Sequence, residues 1–305
     1  MRSIFTLALI AATVAITSGQ TQPRFRADVD LLVVSAIVRD TGNAFVRGLT
    51  RDDFELLEDG KPVDIATFAE AGTDARASLD DGRFVVLLMD DLSASPSLTT
   101  RMKQIAHGFA DRMGPKDVLS VTYLNGGSSV TTQIRGEVKR AIDRFKPIGS
   151  HGAMSPGSKE QHAIETIGAL SAQLERVGHR RKIVVCIGAA HIFNPVVGDG
   201  ELRGYTADTL RATARSNVTI YLIDPLGLNK GVSFADFEGG FARETGGSAF
   251  ANINEYGPAI ERVWEESGNY YLLGYEPARR DNRRHSIEVR VKKPDLNVRA
   301  RRTRG

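Results

Sequence analysis

The stretch Arg83-Phe-Val-Val-Leu-Leu-Met-Asp-Asp-Leu-Ser-Ala-Ser95 decides the fold. Its apolar run from Phe84 to Met89 is unbroken, which is typical of a strand that is buried on both faces in a parallel sheet. Two carboxylates and then two hydroxyls follow this run directly. Because open α/β sheets bind ligands beyond the carboxyl ends of their strands, the loop after the run is the first candidate binding site.

Strand-like and helix-like segments alternate on the C-terminal side of this run. Such alternation predicts right-handed crossovers and an α/β fold with a doubly wound, mostly parallel sheet, which we place at residues 83–267. The further strands are expected at 118–124, 130–134, 182–187, 218–223 and 248–251, and the helices at 98–113, 138–145, 159–177, 206–216, 234–244 and 254–267.

Both ends of the mature chain read as β-structure. Residues 27–72 form an N-terminal β module, with strands at 29–39 and 54–58, a tight turn at Asp59-Gly60 and a returning strand at 63–70. Residues 268–305 contain three more strands, and in the last two of them apolar and basic residues alternate. Since few strands alone bury little surface, we expect the two ends to complete one small β-sandwich that flanks the α/β domain.

The composition is that of an ordinary globular protein: 305 residues, 41% hydrophobic and 25% charged, with a net charge of +3. Residues 1–19 resemble a signal peptide, because Arg2 precedes an apolar run that ends in small residues. We therefore expect an exported protein, periplasmic, secreted or at the cell surface. After cleavage no transmembrane segment is expected, and an uncleaved anchor is the alternative. The single cysteine, Cys186, lies in an apolar run and cannot form an internal disulfide.

Basic residues crowd the C-terminal segment. In one interpretation they form solvated strand edges, where charge prevents edge-to-edge pairing. In the other they contact an anionic polymer or a membrane surface. No nucleic-acid-binding motif accompanies them, so no nucleic-acid partner is expected. The residues are Arg279, Arg280, Arg283, Arg284, Arg290, Lys292, Lys293, Arg299, Arg301, Arg302 and Arg304.

Asp91, Ser93 and Ser95 form a D-x-S-x-S pattern, an oxygen-rich set that suits a hard cation. The pattern, the strand before it and the flanking segments resemble the exported bacterial proteins with a "VWFA-related domain", of the type found in Acidobacteria, which contain a von Willebrand factor A (VWA) domain. The resemblance rests on residues 29–34, 47–62, 242–247 and 270–275 as well as on the loop, and it covers the mature chain.

The resemblance implies a Rossmann-like domain with a metal-ion-dependent adhesion site on its top face. In such a site Mg²⁺, or Mn²⁺ or Ca²⁺, is held by the first-loop Asp and two Ser, a Thr from a second loop and an Asp from a third. One position stays open for an acidic side chain of a protein partner. The metal ligands predicted in this chain are Asp91, Ser93, Ser95, Asp90 and Ser150, with Asp90 as an alternative first ligand because it follows the strand directly.

This sequence departs from the family pattern at two loops. The second loop has no Thr near residues 149–155, so a hydroxyl could come from Ser150, Ser155 or Ser158. The third loop, residues 187–190, has no carboxylate. If the site is vestigial, Ser93 or Ser95 caps the helix near residue 98 and Asp91 accepts backbone N–H groups there. A third alternative uses His151 and His191 as ligands of a transition metal.

The functional prediction is an exported, non-enzymatic binding or assembly module that contacts a protein partner through the face around the D-x-S-x-S loop, with or without a cation. The alternative is a structural or scaffold protein with a degenerate, metal-free site. No catalytic motif of the G-x-S-x-G, H-E-x-x-H or G-x-x-x-x-G-K type occurs. The acidic residues at positions 52–59 lie on short loops and a hairpin, where we expect solvated charges rather than a carboxylate pair for catalysis.

Overall fold

A computed structural model describes residues 31–71, 82–126, 130–148, 155–178, 181–193, 200–228, 240–279, 281 and 283–304. The predicted signal peptide at 1–19 lies outside these residues, as do Ser150, His151 and the first part of the helix expected at 234–244. In this part of the chain no helix is both long and apolar enough to cross a bilayer.

The described residues form three sheets, and their helices follow the predicted order except for α4 at Ala190–Phe193, which was not predicted. The helices are α1 Thr99–Arg112, α2 Arg135–Arg144, α3 Pro156–Leu174, α4 Ala190–Phe193, α5 Gly200–Arg215, α6 Phe241–Glu244 and α7 Gly257–Gly268. The strands are β1 Leu32–Arg39, β2 Phe54–Glu58, β3 Lys61–Val63, β4 Ile65–Glu70, β5 Arg83–Met89, β6 Val118–Tyr123, β7 Val130–Thr132, β8 Arg181–Ile187, β9 Val218–Ile223, β10 Ala249–Phe250, β11 Tyr271–Tyr275, β12 His285–Val291, β13 Asn297–Ala300 and β14 Thr303–Arg304.

The central sheet has the strand order β10-β9-β8-β5-β6-β7. Every neighbouring pair in it is parallel except β6 with β7. Alternate residues of β5 enter two different cores: Val85 and Leu87 pack with α1, whereas Val86 and Leu88 pack with α3. Helices therefore cover both faces of β5, and the predicted doubly wound, mostly parallel sheet is confirmed.

The two remaining sheets pair strands from the two ends of the chain. One has the order β13-β1-β11-β4 and the other β14-β12-β2-β3. Their inward side chains, among them Val34, Leu56, Tyr271 and Ile287, form one shared core. The predicted sandwich of N- and C-terminal strands is thus confirmed, although its division into separate domains stays a prediction.

The strand predicted at 63–70 is wrong in one respect. Only β3 returns beside β2 after the turn at Asp59-Gly60, where both residues have positive φ. The chain then crosses at Asp64 to the opposite sheet, where β4 pairs with β11. A straight strand pairs within one sheet, so the change of partner from β2 to β11 needs the break at Asp64.

Glu266 on α7 forms the centre of a buried ion cluster between the sandwich and the α/β domain. Its side chain is fully buried. It accepts hydrogen bonds from Arg39 Nη2 at 3.3 Å and from Arg262 Nε at 3.0 Å, and the Arg299 guanidinium also bonds to it. One carboxylate thus links β1, α7 and β13.

Two C-terminal arginines are buried, so the interpretation of this segment as solvated strand edges is wrong for them. Arg301 is 4% exposed and donates to the carbonyl oxygens of Thr213 at 2.9 Å and Val218 at 2.8 Å. Arg304 is 7% exposed and forms an ion pair with Glu58. A guanidinium can be buried where several acceptors satisfy its donors, and these acceptors come from distant parts of the chain.

A second polar cluster closes the end of the sandwich around His285. Its Nδ1 lies 2.7 Å from Asp59 Oδ2, and its Nε2 lies 2.7 Å from Asp281 Oδ1. The hydrogen bonds from Asp281 and Asp59 raise the pKa of His285. The same bonds lower the pKa of each aspartate. His285 therefore links the β2–β3 turn to the segment before β12, and its two carboxylate partners favour the charged form of the ring.

Candidate binding site at the carboxyl edge of the sheet

Asp90 leaves β5 as a fully buried residue whose oxygens are occupied by its own loop. Its Oδ1 accepts the backbone N–H of Leu92 at 3.1 Å and that of Ser93 at 2.8 Å, and its Oδ2 accepts the Ser93 hydroxyl. This is the local turn that an Asp side chain forms with residues two and three positions later. Gly188 is needed beside it, since a Cβ there would lie 2.5 Å from the Asp90 Cβ.

Asp91 is oriented away from Asp90, toward the end of β6. Its Oδ1 accepts the backbone N–H of Asn125 at 2.8 Å, and its carbonyl oxygen accepts the N–H of Ile148 at 2.7 Å. Burial raises the pKa of Asp91, and the charge of Asp90 raises it further against the opposing effect of the Asn125 N–H. The predicted backbone bond of Asp91 near residue 98 is wrong, because the donor comes from the turn that follows the neighbouring strand β6.

Ser95 caps the short 3₁₀ turn Pro96–Leu98 that precedes α1. Its Oγ accepts the N–H of Ser97 at 3.4 Å and lies 2.9 Å from the Ser97 hydroxyl. The predicted capping role of Ser95 is therefore observed, whereas Ser93 bonds to Asp90 instead. The structure brings together Asp90 and Ser93 and gives Asp91 and Ser95 separate partners.

The second loop places a lysine ammonium group next to the first loop. Lys159 on α3 places its Nζ 3.4 Å from the carbonyl oxygen of Leu92. Ser155 and Ser158 bond to each other at 2.8 Å, and Ser155 caps α3. The predicted ligand Ser150 lies outside the described residues. An ammonium group at this position opposes a second cation in the same loop.

Asp224 was not among the predicted site residues, although it follows β9 as Asp90 follows β5. Its Oδ2 accepts the N–H of Ala190 at 2.9 Å, and its Oδ1 accepts that of Leu226 at 2.7 Å. Burial raises its pKa. The strand-end position of Asp224 in the sequence was the available signal. It supplies a carboxylate next to the third loop, where the sequence itself has none.

The described donors do not fit a divalent cation. Asp90 and Asp91 already accept N–H and O–H groups, and Lys159 adds a positive charge to the loop. Across the ranges that the structure describes, no three His, Cys, Asp or Glu side chains are grouped to hold a metal. His191 is exposed on α4, and His151 lies outside the description.

Large apolar side chains are exposed on loops at this same edge. Leu228 is 67% exposed, Ile148 49% and Leu226 39%. The loop after β9 is nevertheless fixed, since Arg101 donates to the carbonyl oxygen of Leu226 at 3.2 Å and Leu228 N–H bonds to Asn254 at 3.1 Å. These apolar side chains are therefore exposed to water although hydrogen bonds fix the backbone of their loop.

The residues considered for catalysis are engaged elsewhere. Cys186 is fully buried, and burial raises the pKa of its thiol, so the reactive thiolate is disfavoured. The acids between positions 52 and 59 divide among partners: Asp53 pairs with Lys293, and Glu58 is the partner of Arg304. These carboxylates therefore form separate ion pairs rather than one acidic group.

No protein-family model matches the sequence, and no curated protein matches it. Solved structures similar to this chain include the SpRpn10 VWA domain, with 13% identity, 59% of this chain and 94% of that one covered, and a TM-score of 0.39. The manganese-loaded Plasmodium vivax TRAP protein is 11% identical, with 72% of this chain and 93% of that chain covered and a TM-score of 0.38. The TFIIH p34 N-terminal domain is 10% identical, with 61% of this chain and 98% of that chain covered and a TM-score of 0.35. Because all three scores are low, the fold class rests on the strand order and the covered sheet faces.

Proposed function

We propose that this chain is a non-enzymatic, exported module that binds a protein partner at the carboxyl edge of its six-stranded sheet. The exposure of Leu228, Leu226 and Ile148 on that edge carries the proposal. Apolar side chains that remain in water on a fixed surface are typical of protein contact sites. The anchored loop after β9 adds to this, because an ordered loop loses little entropy when a partner binds.

In this proposal the contact needs no divalent cation. Support comes from the hydrogen bonds that Asp90 and Asp91 already accept and from the ammonium of Lys159 beside the loop. The exposed apolar side chains of the edge make the contact instead. Export is proposed from the signal-like residues 1–19, and the absence of catalysis from the buried thiol and the divided carboxylates.

The first experiment compares two matched variants of the mature chain. Leu228→Asp places a charge on the proposed contact surface, whereas Ile134→Asp does so at a residue that is 59% exposed ahead of α2. We expect a partner cross-linked to the wild type in extract of the source organism to be lost with Leu228→Asp and retained with Ile134→Asp. Equal loss or equal retention with the two variants contradicts a contact at this edge.

The second experiment addresses the cation. Calorimetry and thermal melts with millimolar Mg²⁺, Mn²⁺ and Ca²⁺ are expected to give neither heat nor stabilisation, although any ligand specific for the folded state would raise the melting temperature. Saturable binding that disappears in Asp91→Ala would overturn the cation-independent contact. Partner cross-linking in EDTA is the control, and we expect it to be unchanged.

The second candidate is a structural scaffold in which the β-sandwich makes the contacts. The Asp90 turn favours it, because this carboxylate is fully buried and satisfied within its own loop and so has a structural role. Loss of the partner with Leu228→Asp alone would argue against this candidate.

A further inference from the structure

A cleft of about 800 Å³ is formed by β1, β12, β13, α6 and α7. This volume is within the range of small-ligand pockets. The described residues that line it include two acids, Asp40 and Glu288, and six arginines. We call it the arginine cleft, and its arginines are Arg39, Arg243, Arg262, Arg299, Arg301 and Arg302.

The acids of the cleft are committed to groups other than these arginines. Asp40 Oδ1 accepts the N–H of Ala44 at 2.9 Å, and Glu288 pairs with Arg290 at 2.7 Å. Glu266 does not line the cleft, but its single carboxylate pairs with three of the cleft arginines, Arg39, Arg262 and Arg299. Even with Glu265, which pairs with Arg39, and Glu244, whose charge acts on Arg301, the described residues around this cleft carry more positive than negative charge.

Individual arginines add to this surplus. Arg301 is buried, and it donates hydrogen bonds to neutral groups of Thr213 and Val218. Burial lowers the pKa of Arg301 to about 10, which still leaves it protonated at neutral pH. Arg39 is 7% exposed, and its buried Nε has no hydrogen-bond acceptor within the described part of the chain. Arg302 is exposed and forms no ion pair with a described residue.

We propose that the arginine cleft binds an anionic ligand that carries at least two carboxylate or phosphate groups. Guanidinium groups bind both oxyanions through paired, charge-assisted hydrogen bonds, and they keep their charge when they are partly buried. A ligand with two or more such groups matches a cleft whose positive charges come from several strands and helices. The site is separate from the proposed protein contact and does not depend on it.

Calorimetry at low ionic strength tests the proposal with citrate for carboxylates, pyrophosphate for phosphates and glycerol as the neutral control. The double variant Arg262→Gln/Arg302→Gln is expected to weaken binding by at least about tenfold, because each lost guanidinium removes charged hydrogen bonds. Its matched control is Arg140→Gln/Arg144→Gln, which removes the same charge from exposed positions on α2. The control should change affinity by no more than about twofold.

Binding of citrate alone assigns carboxylate as the ligand group, and binding of pyrophosphate alone assigns phosphate. Because Arg262 also bonds to Glu266, the single variant Arg302→Gln provides a second test that leaves the Glu266 cluster intact. We expect it to weaken binding by at least about threefold. The proposal is overturned if neither anion binds the wild type at millimolar concentration, or if the α2 control weakens binding as much as the cleft variant.

Discussion

Replacing Glu266 by alanine tests the buried ion cluster that joins the sandwich to the α/β domain. The side chain of Glu266 is 0% exposed, and it is bonded to Arg39, Arg262 and Arg299. Removing it leaves guanidinium groups without their shared carboxylate in a buried site, so we expect a loss of about 3–5 kcal/mol in the free energy of unfolding.

The adjacent residue provides a matched control. Glu265 is also bonded to Arg39, at 2.8 Å, but its side chain is 42% exposed. Water screens this pair, so Glu265→Ala is expected to reduce stability by no more than about 1 kcal/mol. The two variants delete the same side chain at neighbouring positions and differ mainly in burial.

Urea unfolding followed by the fluorescence of Trp264, the only tryptophan, measures both variants. With a slope of about 3 kcal/mol per molar urea, the loss for Glu266→Ala lowers the unfolding midpoint by about 1 to 1.7 M. Arg83 lies over the Trp264 ring at 4.6 Å, so opening of this region changes the environment of the probe. A midpoint shift for Glu266→Ala no larger than that for Glu265→Ala would refute the reasoning.

Two further predictions concern His285 and the Asp90 turn. Because the folded-state pKa of His285 is raised, its stabilising effect is complete below about pH 6.5 and is lost as pH rises through the raised value. The difference in urea midpoint between wild type and His285→Gln should therefore shrink toward alkaline pH, and a difference that grows would contradict the imidazolium assignment. Gly188→Ala places a Cβ 2.5 Å from Asp90 and 2.7 Å from the Phe193 ring, so it should cost about 1–3 kcal/mol in thermal or urea unfolding. Gly157→Ala, whose new Cβ meets nothing within 4 Å, is the control. An equal loss of stability in the two variants would contradict the predicted crowding at Asp90.

The parts of the fold that follow from local pattern could be predicted from the sequence. The apolar run of β5 has one favourable environment, a strand covered on both faces, and the structure places it there. The alternation in β12 likewise indicated one buried face, and the burial of Ile287 and Val289 agrees with it. In both cases neighbouring residues alone carry the signal.

The parts that depend on distant partners could not be predicted. Arg301 looks like a solvated charge in the sequence, because its acceptors Thr213 and Val218 lie more than 80 residues earlier. Asp91 accepts the N–H of Asn125 in the turn after the neighbouring strand β6, and the D-x-S-x-S spacing contains no information about that donor. Burial of charge depends on where the chain brings its acceptors, which a short window does not record.

The pairing of β1 with β11 has a consequence for the order in which the chain matures. Leu32 pairs with Tyr275, and Val38 pairs with Val298. β1 therefore has no pairing strand until more than 200 further residues have been synthesised. Until then its edges are open to pairing with other chains. The α/β segment, whose strands are joined by nearby helices, can form during that interval. The growing chain therefore carries an unpaired β1 until β11 and β13 have been synthesised, and this interval is when a chaperone would be most needed.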